Sequence, residues 1–167
     1  MFVRHRLAWF AALLALLALV PAAVSTAHEG ATVPQGFSDA LFVEGFAGRL
    51  TSMTFGPDGR LYVSEKQGSV RIVEAGGKLL SSPFLTIPAA TDSEKGLKGI
   101  AFDPDYSATG FVYVYYTNPN DKNRVSRFTR IAGDPNHLDP ASEKVLVDGI
   151  NSGVYHSGGS LHFGVDK

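Results

Sequence analysis

A chain of 167 residues without a cysteine has no disulfide to hold it, so its stability rests on a hydrophobic core, for which 44% hydrophobic and 11% aromatic residues are material enough. Lys+Arg 15 against Asp+Glu 16 leaves a formal charge of −1, a balance that excludes nucleic acid or an anionic membrane surface as the main partner. Gly 18 and Pro 9 favour many short strands and tight turns over long helices.

The first residues stand apart from the rest. Arg4, His5 and Arg6 precede an apolar run over 7–20, followed by Pro21 and small residues as far as Ala27. This three-part layout is that of a secretory signal peptide over 1–27, with Ser25 at the third position before a cut after Ala27. The apolar run falls short of the roughly 20 residues that a helix needs to cross a bilayer, and a retained anchor is the alternative reading. Cleavage would remove Arg4 and Arg6 and leave a more acidic chain beginning at His28. A periplasmic or secreted protein without a stable membrane span is expected.

Residues 28–40 are polar and carry Gly30, Pro34 and Gly36, which predicts a leader into a domain over 41–167. Its first strand is expected at 41–46. Beyond it the chain repeats itself. Phe55-Gly56-Pro57-Asp58-Gly59-Arg60-Leu61-Tyr62-Val63 returns as Phe102-Asp103-Pro104-Asp105, a short insertion and Phe111-Val112-Tyr113-Val114-Tyr115, and opens again at Leu161-His162-Phe163-Gly164-Val165-Asp166. Each copy ends an apolar strand, turns, and starts an alternating aromatic or β-branched strand. The copies lie 47 and 61 residues apart, a spacing suited to propeller blades of about 40–50 residues with insertions.

The fold class predicted is therefore all-β, a β-propeller represented by two blades and the start of a third. Strands are expected at 50–55, 60–65, 69–74 and 78–80, then at 99–102, 111–117, 124–131 and 142–147, and a third blade at 161–163. No amphipathic helix is visible. A closed propeller needs about four blades, so further blades are expected beyond Lys167. The chain in isolation is expected to be inactive and to expose an aggregation-prone sheet edge.

The strongest chemical signal is Tyr155-His156-Ser157-Gly158-Gly159-Ser160. Loops that enter inner strands gather at a propeller's axis, and an imidazole there is the side chain best able to take a proton near neutral pH. Gly158 and Gly159 would admit a flat ligand close to the backbone. The alternative is a histidine that merely braces a turn. Asp103 and Asp105, in a Pro turn, and the polar loop 118–123 are expected to bond locally and not to hold Ca²⁺. His137 is expected on a loop surface. His162 is expected at the axis or between blades, and His28 is a remote copper-chelate idea.

The run from Gly59 to Arg71, Gly96-Leu97-Lys98-Gly99-Ile100-Ala101-Phe102-Asp103-Pro104-Asp105 and His156-Ser157-Gly158-Gly159 follow one another in the order and spacing of the glucose/sorbosone dehydrogenase family, which the chain resembles from about Phe42 to Lys167. The resemblance implies a six-bladed propeller that uses pyrroloquinoline quinone (PQQ), with Ca²⁺ held by residues outside this chain. It implies a sugar substrate oxidised at the anomeric carbon, an external electron acceptor, and His156 as general base. By the same resemblance Glu94, Tyr155, Gly158 and Gly159 fall at cofactor-binding positions and no metal ligand is assigned. Glu94 stands where members carry Gln, with Lys95 as its expected partner, Tyr155 where the best-known glucose oxidisers carry Asp, and Lys98 where the second Leu of the motif is usual. A non-catalytic secreted propeller that binds carbohydrate or protein is the alternative. A lactone-hydrolysing propeller would need an axial set of carboxylates that is not visible in the sequence.

Overall fold

The computed structural model describes residues 32–166. The signal peptide and the His28 terminus expected from the sequence lie outside the described residues. The chain divides into two compact units, Met1–Ala40 and Leu41–Lys167. In the first, residues 32–40 form a turn closed by the Phe37 N–H on the Pro34 carbonyl, and no regular element.

The second unit holds two four-stranded antiparallel sheets, each meandering in chain order. One comprises β1 (Leu50–Phe55), β2 (Leu61–Glu65), β3 (Ser69–Val73) and β4 (Leu85–Thr86). The other comprises β5 (Leu97–Phe102), β6 (Phe111–Thr117), β7 (Lys122–Arg130) and β8 (Leu138–Asn151). A single helical turn, α1 (Tyr106–Thr109), fills the insertion between β5 and β6 and stops at Gly110, whose φ of 64° only glycine adopts freely.

The repeat extends to register. The β1–β2 ladder slips between Leu50 and Ser52, and the β5–β6 ladder slips between Leu97 and Gly99, 47 residues on. Beyond the slip Thr54 faces Tyr62 as Ala101 faces Tyr113. Alternation along the strands then decides what each sheet buries. Tyr62, Val70 and Ile72 of the first sheet meet Ile100, Val112, Val114 and Phe128 of the second in one core. At its centre Tyr62 meets Phe84 and Phe102 edge-on, at 4.8 and 4.7 Å between ring centroids.

Arg60 closes the seam between the sheets. Its guanidinium donates to Asp58 Oδ2 at 2.8 Å and crosses to Asn136 Oδ1 at 2.6 Å and the Pro135 carbonyl at 3.0 Å. Burial pushes the Asp58 carboxyl up, but the bonds from Arg60 and the Tyr62 hydroxyl outweigh it and hold the group below its ordinary value.

Several expected boundaries shift. Residues 41–46 are not a strand, since no strand among the described residues runs beside them and a strand exists only through its ladder. The outer strand expected at 78–80 is reduced to a bridge between Val73 and Leu79. The chain leaves the sheet through Pro83, which lacks an N–H to offer the ladder, and rejoins as β4. The expected strand at 142–147 is the middle of the 14-residue β8, whose three register slips against β7 let it bend along the sheet.

The third copy forms no ladder over 161–163, yet it is seated like its predecessors. Phe163 meets Tyr113 edge-on at 5.2 Å, as Phe102 meets Tyr62.

Candidate functional site

Three inner segments converge where the sheets meet: β1, β5 and residues 158–163. The Thr51 hydroxyl reaches the Leu97 carbonyl at 2.7 Å and the Ser64 carbonyl at 3.2 Å, which locks β1 to β5. The returning chain then lies on β5 with no room for side chains. A Cβ on Gly99 would sit 1.9 Å from the Gly159 carbonyl oxygen, and one on Gly159 would sit 2.5 Å from Lys98 Cβ. The glycine pair thus has a structural duty, close backbone packing, whatever ligand is bound. The Tyr115 hydroxyl fixes the same segment by donating to the Ser157 carbonyl at 2.7 Å.

A cavity of about 360 Å³ opens at this junction, lined by Thr51, Ser52, Lys98, Gly158, Gly159 and Ser160. A second, of about 350 Å³, continues along the strands between Ser52–Phe55, Gly99–Phe102 and Gly159–Phe163. The first is a product of the repeat. Thr51, Lys98 and Gly159 are the same position of three successive copies, and Ser52 and Ser160 are the next position of the first and third.

His156 stands beside this hub and lines neither cavity. Its φ of 64° is left-handed, a region uncommon for L-residues though less so for Asn, Asp and His, and its main-chain N–H donates to Glu94 Oε2 at 2.5 Å. The Glu94 N–H in turn donates to the Val154 carbonyl at 3.4 Å, so the two loops strap each other. The imidazole is exposed and hydrogen-bonds no group among the described residues. Its neighbour is the Tyr155 ring, tilted, with centroids 6.4 Å apart. Among the described residues no ring partner takes the place of the Asp expected from the best-known glucose oxidisers, and Glu94 holds the main chain of His156 and not its ring.

Lys95 does not pair with Glu94 as expected. Its buried amine bonds Asp92 and Asp121, each at 2.9 Å, because the 118–123 turn brings Asp121 to it. Glu94 is left to serve His156. Among the described residues Lys98 makes no ion pair or hydrogen bond; burial pushes its amine below the ordinary value, Glu94 acts against that shift and Lys66 with it. Three hydroxyls of the region, those of Ser52, of Ser64 opposite it in the β1–β2 ladder and of Ser157, are buried without a partner among the described residues.

Of the positions singled out in the sequence, His156, Glu94 and Tyr155 cluster on one side of the hub, and Gly158 and Gly159 line the cavity. Ser52 escaped notice, although aligning the three copies on Phe55, Phe102 and Phe163 would have placed it with Ser160. His162 bonds Ser160 Oγ at 2.9 Å and lines the second cavity, and His137 bonds Asp134 at 2.7 Å. Among the described residues no three of His, Cys, Asp or Glu gather as a metal site.

Repeated four-stranded sheets whose inner strands share a hub define a β-propeller. The chain belongs to the glucose/sorbosone dehydrogenase family, whose model matches residues 49–167. Among solved structures it is similar to the PQQ-bound form of the aldose sugar dehydrogenase from Streptomyces coelicolor, with 29% identity, a TM-score of 0.65, and 75% of this chain and 37% of that one covered. The apo soluble aldose sugar dehydrogenase from Escherichia coli shares the fold at 20% identity and a TM-score of 0.58, over 70% of this chain and 35% of that one. A curated relative, Hedgehog-interacting protein from Mus musculus, is 33% identical over an alignment of 122 residues, with 64% of this chain and 17% of that protein covered. The human protein is 32% identical over the same length and with the same coverage. The chain thus spans about a third of the dehydrogenases and a sixth of the curated relatives.

Proposed function

We propose that the protein, at its natural length, is an exported quinoprotein that oxidises an aldose at its anomeric carbon and passes the electrons to an external acceptor. The observation that carries this reading is His156, an imidazole with no partner of its own on a backbone held by Glu94 in a chain of this family. The residues present fit PQQ. The hub cavity is lined by Lys98, a cation suited to an anionic ligand, and by Ser52, whose hydroxyl is unspent among the described residues, and part of the Glu94 charge is offset by the His156 N–H. When bound, PQQ supplies a two-electron acceptor. His156 takes the proton of the anomeric hydroxyl on a ring nitrogen, Gly158 and Gly159 bound the ligand's space, and Tyr155 stands beside the imidazole. Ca²⁺, on this reading, is held by residues outside this chain.

The experiment is reconstitution of the natural-length protein with PQQ and Ca²⁺. Dye reduction should depend on an aldose and be lost in His156→Ala. A folded sample that binds no PQQ would refute the reading. Export is checked by N-terminal sequencing of the protein recovered outside the cytoplasm, expected to begin at His28.

A second reading, a secreted propeller that binds carbohydrate or protein without turnover, draws on Glu94 and Tyr155 at positions where oxidisers carry other residues and on the likeness to Hedgehog-interacting protein. Sugar binding indifferent to PQQ, with no dye reduced, would favour it.

A further inference from the structure

The geometry points to a carboxylate-binding site at the hub, with Lys98 as its cation and Ser52 as its neutral donor. The inference takes from the preceding reading only the place, the hub, and does not require turnover.

The repeat supplies the argument. Thr51, Lys98 and Gly159 occupy one position of three copies and all line the cavity of about 360 Å³. Thr51 has its hydroxyl engaged by two carbonyls and Gly159 has no side chain, so Lys98 alone brings an unspent polar group to that ring of positions. An amine there is costly, because burial works against its charge, and nothing in the β5 ladder needs it. Other lysines nearby are engaged: Lys95 holds two aspartates and Lys66 donates to the Ser93 carbonyl, whereas Lys98 has neither kind of partner. Glu94, whose charge acts on Lys98, spends its Oε2 on the His156 N–H.

Ser52 is the second, independent observation. The residue lines the same cavity, and its Oγ is buried and bonds nothing among the described residues. A cation and a hydroxyl are both donors, and the complementary ligand group is acceptor-only and anionic. A carboxylate fits better than a phosphate, since one ammonium near the Glu94 charge matches one negative charge and not two. Two sources share this chemistry: a carboxylate of the quinone, and the carboxylate of an acidic sugar such as a uronate.

The test measures binding to the natural-length protein by calorimetry, with PQQ, glucuronate and glucose as probes, in wild type, Lys98→Leu, Lys98→Arg and Ser52→Ala. Leu is the residue usual at this motif position, so Lys98→Leu should fold, and an unchanged melting temperature checks it. A charge-assisted contact predicts about 10–100-fold weaker binding of the carboxylate probe in Lys98→Leu, near-retention in Lys98→Arg, and a smaller loss in Ser52→Ala. Loss confined to PQQ assigns the site to the quinone, and loss confined to glucuronate assigns it to an acidic sugar. If PQQ fails to bind at all while Lys98-dependent glucuronate binding persists, the quinoprotein reading falls and the site stands. If PQQ and glucuronate bind Lys98→Leu as tightly as wild type, or if glucose matches glucuronate in every variant and PQQ is unaffected, the carboxylate site is overturned.

Discussion

Removing the Glu94 carboxylate should release His156 from its left-handed conformation. A non-glycine residue at a φ of 64° carries roughly 1–2 kcal/mol of steric cost. A hydrogen bond to a charged acceptor contributes about 1.5–3 kcal/mol, and this one, at 2.5 Å on an exposed loop, belongs at the low end of that range. The two nearly balance, so the strap is what keeps the held conformer dominant. Glu94→Ala should lower its population and, on the proposed function, reduce turnover by the natural-length protein about tenfold, the factor that corresponds to about 1.4 kcal/mol. Glu94→Gln retains an acceptor oxygen and should recover most of the loss. A second readout is independent of activity: amide hydrogen exchange at His156 should quicken in Glu94→Ala and stay slow in Glu94→Gln. Unchanged exchange at His156 in Glu94→Ala would refute the reasoning, because the amide would then owe its protection to some other group.

Phe84 is fully buried at the centre of the seam between the sheets, and Phe84→Ala should cost about 3–5 kcal/mol in urea denaturation. A loss under 1 kcal/mol would mean that the two sheets do not share one core. Asp58 has its folded pKa below the unfolded value of 3.8, so its contribution is present above that pH and fades as pH falls through the lower, folded value. Acid titration of stability should therefore show a loss below about pH 4 that Asp58→Asn removes; identical profiles would exclude the group. Met53 and Phe55, 71% and 72% exposed, lie on the face of the first sheet turned away from the core. Changing both to Thr should reduce self-association of this chain in sedimentation velocity with little loss of stability, and unchanged association would place the sticky surface elsewhere.

The local pattern was legible before any coordinates. Alternation in 50–55, 61–65 and 111–117 is a backbone period written in residue types, and the Pro-Asp-Gly and Gly-Gly turns mark where the chain must reverse, so the inner hairpins and their repeat follow from the sequence. The spaced motifs carried the family. The edges were less legible, because an outer strand is defined by what lies beside it: 41–46 has strand chemistry and no strand paired with it among the described residues, whereas Pro83 divides the fourth strand of the first sheet in a way that the run at 78–80 does not announce.

Only tertiary structure decided who partners whom at the hub. Adjacent numbering suggested Lys95 for Glu94, yet the hairpin at 118–123 delivers Asp121 to Lys95, and a loop 62 residues further on delivers the His156 N–H to Glu94. The spent hydroxyl of Thr51 and the unspent one of Ser52 differ for the same reason, that which carbonyl lies within reach depends on how one sheet is laid against the next. The sequence by itself determined the repeating unit and the residues it repeats, because turns and alternation are local. The side-by-side placement of the copies determined which of those residues meet, because a contact between chain-distant groups is set by packing and has no local signature.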